Sequence, residues 1–195
     1  MRKLFIFIWL LVPLGAAAYH FGPGQQSIKI DQVATHIGLA EKHLMNNEFA
    51  EAVIEFDEAI RLLPKENISA NNSLRLEKAK AQMQCSQLPE AYKELLSMLS
   101  TLDENTKPQL VADTKSTLAN AQYYMTWLMR LEGHPRELWE PIIESSRQNY
   151  YAAAEFAKNE GSQKSADQLI ENLEASIKLA RIDLDELQGL PLPNQ

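Results

Sequence analysis

The sequence predicts an all-α protein. Apolar residues recur at steps of three and four through most of its 195 residues, the period of one helical face. Only 7 glycines and 9 prolines interrupt a chain that is 45% hydrophobic, which suits packed helices. With Cys85 the single cysteine, no intramolecular disulfide can form, and stability must come from helix packing. The formal net charge is −7; without Arg2 and Lys3 the balance is 17 basic against 26 acidic residues, or −9. Phosphate recognition depends on basic residues displacing counterions, so nucleic-acid binding is disfavoured.

The N-terminus opens with Met1, Arg2 and Lys3, followed by the apolar or small run LFIFIWLLVPLGAAA over 4–18, and no acidic residue precedes Asp31. This is the pattern of an export signal, with Ala16, Ala17 and Ala18 forming a small-residue cleavage site. The run is shorter than the ~20 residues a span needs. Cleavage after Ala18 is therefore preferred to an uncleaved anchor, although Tyr19 and Phe21 could extend the run as an interfacial belt. A breaker-rich linker is expected over 19–30, and Asp31 is placed to cap a helix opening near Gln32.

Two helical hairpins follow. In the first, 33–64, one stripe is Val33, Ile37, Ala40 and Leu44 and the other is Ala52, Phe56, Ala59, Ile60 and Leu63. Asn46, Asn47 and Glu48 make the turn, and Pro64 ends the second helix. A polar connection spans 65–72. The second hairpin, about 74–102, carries Leu76, Ala79 and Met83, then Ala91, Leu95, Met98 and Leu99, with its turn at Gln87, Leu88 and Pro89. The offset from Ala52 and Phe56 to Ala91 and Leu95 is 39 residues, an internal repeat.

On Leu39, Ala40, Ala52, Phe56, Ala59 and Pro64, the stretch 33–64 resembles a tetratricopeptide repeat (TPR), and 72–103 resembles a weaker copy through Ala79, Ala91 and Leu95. His36 and His43 stand where that pattern prefers Trp and Tyr, and Met98 and Asp103 where it prefers alanine and proline. The resemblance implies a helical-hairpin stack of α-solenoid type over 31–104. It also implies a protein-binding concave face formed by each unit's first helix, with Glu41, Met45, Lys80 and Gln84 as partner-binding candidates. Glu41 stands where carboxylate-clamping members have asparagine, so chaperone-tail binding is not implied.

Three longer helices complete the fold over 105–188, packed on the repeats. Pro108 starts one that reaches Glu132, with Val111, Thr114, Leu118, Ala121, Met125 and Leu128 on one stripe. Tyr123, Tyr124, Trp127, Met129 and Leu131 make its end apolar all round, the pattern of a buried helix. Gly133, His134 and Pro135 break it. The next helix ends before Gly161, with a kink or second start at Glu140 ahead of Pro141. The last, 166–187, carries a near-heptad seam of Leu169, Leu173, Ile177, Ala180, Leu184 and Leu187, suited to capping the stack or to self-association. A tail spans 189–195.

No nucleophile elbow, phosphate-cradling loop, zinc-protease helix or CxxC pair occurs. His36 and His43 lie two turns apart on one face, about 10 Å by helical rise, with Ala40 between them, so packing explains them better than a metal. Glu51, Glu55, Asp57 and Glu58 read as a solvated face. The aromatic and methionine cluster over 123–139 reads as core, although Arg130 and Arg136 could make a cation–π or anion contact beside its tryptophans. Asn67-Ile68-Ser69 and Asn71-Asn72-Ser73 are glycosylation sequons by pattern alone.

The expectation is thus a non-catalytic protein–protein interaction scaffold outside the cytoplasm, needing no cofactor or metal. Membrane contact would be confined to the N-terminal segment. The rival expectations are a self-assembling structural protein, homo-oligomeric through 166–187, and a ligand-binding protein or enzyme with a site in the aromatic half.

Overall fold

The computed structural model describes residues 23–105, 107–183 and 187, with side chains from Ile28 onward. The protein is all-α: seven helices and no strand occur among the described residues. They are α1 (Pro23–Met45), α2 (Phe49–Leu62), α3 (Ile68–Gln84), α4 (Leu88–Thr101), α5 (Pro108–Leu131), α6 (Arg136–Asn159) and α7 (Gln163–Arg181). The expected export segment 1–18 and tail 189–195 lie outside the described residues. No helix among the described residues is long and apolar enough to cross a membrane.

Several expected boundaries move. The first helix opens at Pro23, so 23–30 is helical and not linker, and Asp31 is an interior residue whose carbonyl accepts the Thr35 hydroxyl at 2.9 Å. Proline at a first helical position is preorganised, and nothing between Gln25 and Ile30 breaks a helix. Likewise α3 opens at Ile68, inside the expected polar connection, because the Asn67 carbonyl already accepts the Asn71 N–H at 3.0 Å. Pro141 lies within α6, which runs as one helix past it. The last helix stops at Arg181, where Ile182 turns extended (φ −70°, ψ 156°).

The chain forms two compact units, one running to Leu74 and the other from Arg75. In the first, α1 packs along α2, with Val33, Ala40, Ala52, Val53, Phe56 and Ala59 buried. Ala40, Ala52 and Ala59 are 0% exposed, and their small side chains let the two helices approach closely.

The second unit holds two apolar clusters. One joins Leu76 and Ala79 of α3, Ala91, Leu95 and Met98 of α4, and Leu118 and Ala121 of α5. The other joins Tyr123 of α5, Trp139 and Ile143 of α6, Leu179 of α7, and Leu187 beyond it. The end of α5 is not buried all round: Leu128 and Leu131 are exposed. Nor is the expected seam of α7 its buried face. Ala166, Asn172, Ser176 and Leu179 are buried, whereas Leu169, Leu173, Ile177 and Ala180 are half-exposed and Leu184 lies outside the described residues. At the centre Ser176 meets Ser146 of α6 at 3.4 Å, while Leu179 and the seam residue Leu187 are fully buried with Tyr123, Trp139 and Ile143.

Candidate functional site: two equivalent hairpins and an arginine-bound helix end

The turns, second helices and side-chain clasps of the two hairpins stand at equivalent positions, at the 39-residue offset. The second helices, Phe49–Leu62 and Leu88–Thr101, are each 14 residues long. They end at Leu63 (φ −63°, ψ 132°) and Leu102 (φ −76°, ψ 133°). Each hairpin turns on a non-glycine residue in the left-handed region, Asn47 (φ 60°) and Ser86 (φ 65°). The N–H after it reaches back five residues, Glu48 to the His43 carbonyl at 2.9 Å and Gln87 to the Gln82 carbonyl at 3.0 Å. That bond satisfies a carbonyl left over at the helix end. The second turn therefore centres on Ser86, just ahead of the expected Gln87-Leu88-Pro89, with Pro89 already in the first turn of α4.

Side chains repeat as well. The His36 imidazole donates from Nδ1 to Glu55 Oε2 at 2.6 Å, and at the equivalent positions the Arg75 guanidinium clasps Glu94. His43 donates to Glu48 Oε2 at 2.6 Å, and Gln82 donates to Gln87 Oε1 at 3.3 Å. Bonds from His43 and Asn46 hold the Glu48 carboxyl below its ordinary value. So the two histidines bind carboxylates in addition to packing, and Glu55 is a half-buried partner and not part of a solvated face. These clasps join the first helix of a hairpin to the second, which fixes the rotation of each helix against its mate.

Glu41 and Met45 on α1, and Lys80 and Gln84 on α3, occupy equivalent positions in the two hairpins and are exposed. Met45 is 77% exposed. Lys80 holds Glu77 at 2.8 Å on its own helix. Each pair lies within its own compact unit, one turn apart on a helix face.

The aromatic half carries polar chemistry that apolar periodicity does not reveal. Gln122 of α5 donates to Ser145 Oγ at 2.8 Å and accepts from Asn149 at 3.0 Å. The Tyr150 hydroxyl donates to Asn120, and Ser146 donates to the Ala119 carbonyl at 2.8 Å. Ser146 also meets Ser176 of α7 at 3.4 Å. Buried polar groups need such partners, and here they tie α5, α6 and α7 in one register. Burial raises Tyr150 well above its ordinary range and raises Tyr123 in the same direction. Trp127 Nε1 is buried with no hydrogen-bond partner among the described residues.

The cation–π contact expected of Arg130 and Arg136 is present on Trp139, and Arg130 adds main-chain acceptors that the sequence does not indicate. Its guanidinium is buried, donates to the Leu179 and Ile182 carbonyls, the latter at 2.6 Å, and lies 4.8 Å from the Trp139 ring centroid. Arg136 lies over the same ring at 5.9 Å and pairs with Glu140 at 2.5 Å. Arg130 thus neutralises carbonyls at the C-terminal end of α7, where the helix dipole favours a cation. Burial lowers its pKa, and the Asp183 carboxylate opposes that shift.

Comparison with family models, with curated proteins and with solved structures returned no match.

Proposed function

We propose that this chain is a non-catalytic, TPR-like scaffold that binds a protein or peptide partner outside the cytoplasm. The observation that carries the reading is the equivalence of the two hairpins. Turn position, second-helix length, cap and clasp recur at one offset, Asn47 with Ser86 and His36–Glu55 with Arg75–Glu94. Repeats of this kind present equivalent side chains from successive units to a bound segment. Glu41 with Lys80, and Met45 with Gln84, are such equivalents on the first helices. The charge differs between units while the backbone does not, so recognition would rest on a polar pattern with an exposed methionine at its edge. The basic start and apolar run over 1–18 support export, with cleavage after Ala18.

The test is an affinity capture from the exported fraction of the source cell. Wild-type protein should recover a stoichiometric partner that Glu41→Lys combined with Lys80→Glu releases, with helical circular dichroism unchanged. Recovery that ignores the double substitution removes these residues from the binding face. Intact mass of the exported form reads the cleavage directly, and a mass that retains 1–18 makes the segment an anchor.

A further inference from the structure

The apolar stripe of α7 and its buried face do not coincide. Ala166, Asn172, Ser176 and Leu179 are buried, whereas Leu169, Leu173 and Ile177 stay half-exposed and Ile170 is 43% exposed. At ~100° per residue, Leu173, Ile177 and Ile170 share one stripe ~60° wide at the solvent edge of the buried face. Charge is divided along the same helix. Glu171 and Glu174 stand in its middle turns, and Lys178 and Arg181 in its last. The first turn holds no acid, so the macrodipole, which acts within the end turns, does not account for the two glutamates. All four charged side chains are exposed, and none has an ion pair within the chain among the described residues.

We propose that this stripe is a self-association surface, on which α7 of a second copy lies antiparallel about a two-fold axis at the level of Ala175. In that register Leu173 of each copy meets Ile177 of the other, the self-complementary contact that a two-fold requires. Glu171 and Glu174 of each copy then face Arg181 and Lys178 of the other, the flanking charge pairing that sets partner and orientation between packed helices. Lys164 stands past the end of the overlap. A parallel pairing would set acid against acid and base against base along the same flank. The charge pattern therefore fits a second copy of α7 itself. One pair of such helices is a small interface, so the dimer is weak and forms with concentration. This inference does not rest on the repeat reading of the hairpins.

Light scattering on the full chain from ~10 μM to ~1 mM brackets a weak dimer of this kind, under reducing conditions that keep Cys85 from cross-linking. A dimer fraction that rises with concentration is expected. Glu171→Lys with Glu174→Lys makes the flank all basic, and Lys178→Glu with Arg181→Glu makes it all acidic. Each variant alone should dimerise at least ~10-fold more weakly than wild type, and the two mixed in equal amounts should pair with each other at least as tightly as wild type does. Helical circular dichroism should be unchanged, and Lys178→Glu alone replaces the acidic variant if its helical signal falls. A wild-type chain monomeric at every concentration overturns the proposal. So does a dimer indifferent to both charge variants, or a pair of variants that stays monomeric when mixed.

Discussion

Ser86 holds a left-handed backbone (φ 65°) that glycine adopts freely and an L side chain does not, as does Asn47 (φ 60°). The turns after α5 and α6 use Gly133 and Gly161 for the same purpose, both at φ 75°. In chemical denaturation Ser86→Gly should therefore raise stability by about 0.5–1 kcal/mol, and Gly133→Ala should lower it by about 1 kcal/mol. Asparagine is tolerated in this region, so Asn47→Gly should change less than Ser86→Gly. The turns at Asn46–Glu48 and Gly133–Pro135 were legible because asparagine, glycine and proline announce them. Ser86 was not, since serine carries no such signature and Pro89 drew the turn toward itself.

Arg130 makes the other prediction at this scale. Arg130→Ala should cost about 2–3 kcal/mol, because two carbonyls lose a charged donor in a buried setting. Arg130→Lys should recover little of this, since an ammonium cannot span both carbonyls and lie flat on Trp139. Apolar periodicity placed Arg130 beside the tryptophans, but its acceptors, 49 and 52 residues onward, are main-chain atoms that no side-chain pattern encodes.

Among elements, the clasps decide how each pair of helices is rotated. A double-mutant cycle of Arg75→Met and Glu94→Gln should give a coupling of about 1 kcal/mol, the upper range for a pair that is only partly buried. A coupling near zero would leave the hairpin to apolar contacts alone. The helices themselves could be read from periods of three and four, because burying one face sets those periods. Their ends could not be placed as well: α1 opens at Pro23, ahead of its first buried residue, Val33, because a helix continues without core contact where Ile28 and Ile30 stay exposed. On α7 the leucine seam misled, since Ser176 and Asn172 face the bundle where Ser146 provides a polar seat.

The α5–α6 seam sets an alkaline limit. Tyr150 is buried and bonded to Asn120, and its folded pKa lies well above the ordinary value near 10. Above that pH the unfolded chain releases the phenolic proton and the folded chain keeps it, so the unfolded state binds fewer protons and stability falls as pH rises. Denaturation between pH 8 and about 11 should show that decline, and Tyr150→Phe should flatten it while losing the Asn120 bond. A Phe variant with the wild-type slope would assign the alkaline transition to other groups.

For the whole molecule, the 39-residue offset was visible in one alanine match and one aromatic-to-leucine match, Ala52 and Phe56 against Ala91 and Leu95. Its depth was not visible, because His36 and Arg75 share a role without sharing a residue type. What could not be read is the partner: exposed positions such as Glu41 and Gln84 carry no packing constraint, so the sequence states their polarity and nothing of what meets them.

The most direct measurement is a hydrogen-exchange footprint of the full chain with and without the captured partner. The scaffold account predicts slowed exchange over α1 and α3, around Glu41, Met45, Lys80 and Gln84, with α5 to α7 unchanged. Protection confined to α5, α6 and α7 would contradict it and move binding to the aromatic half.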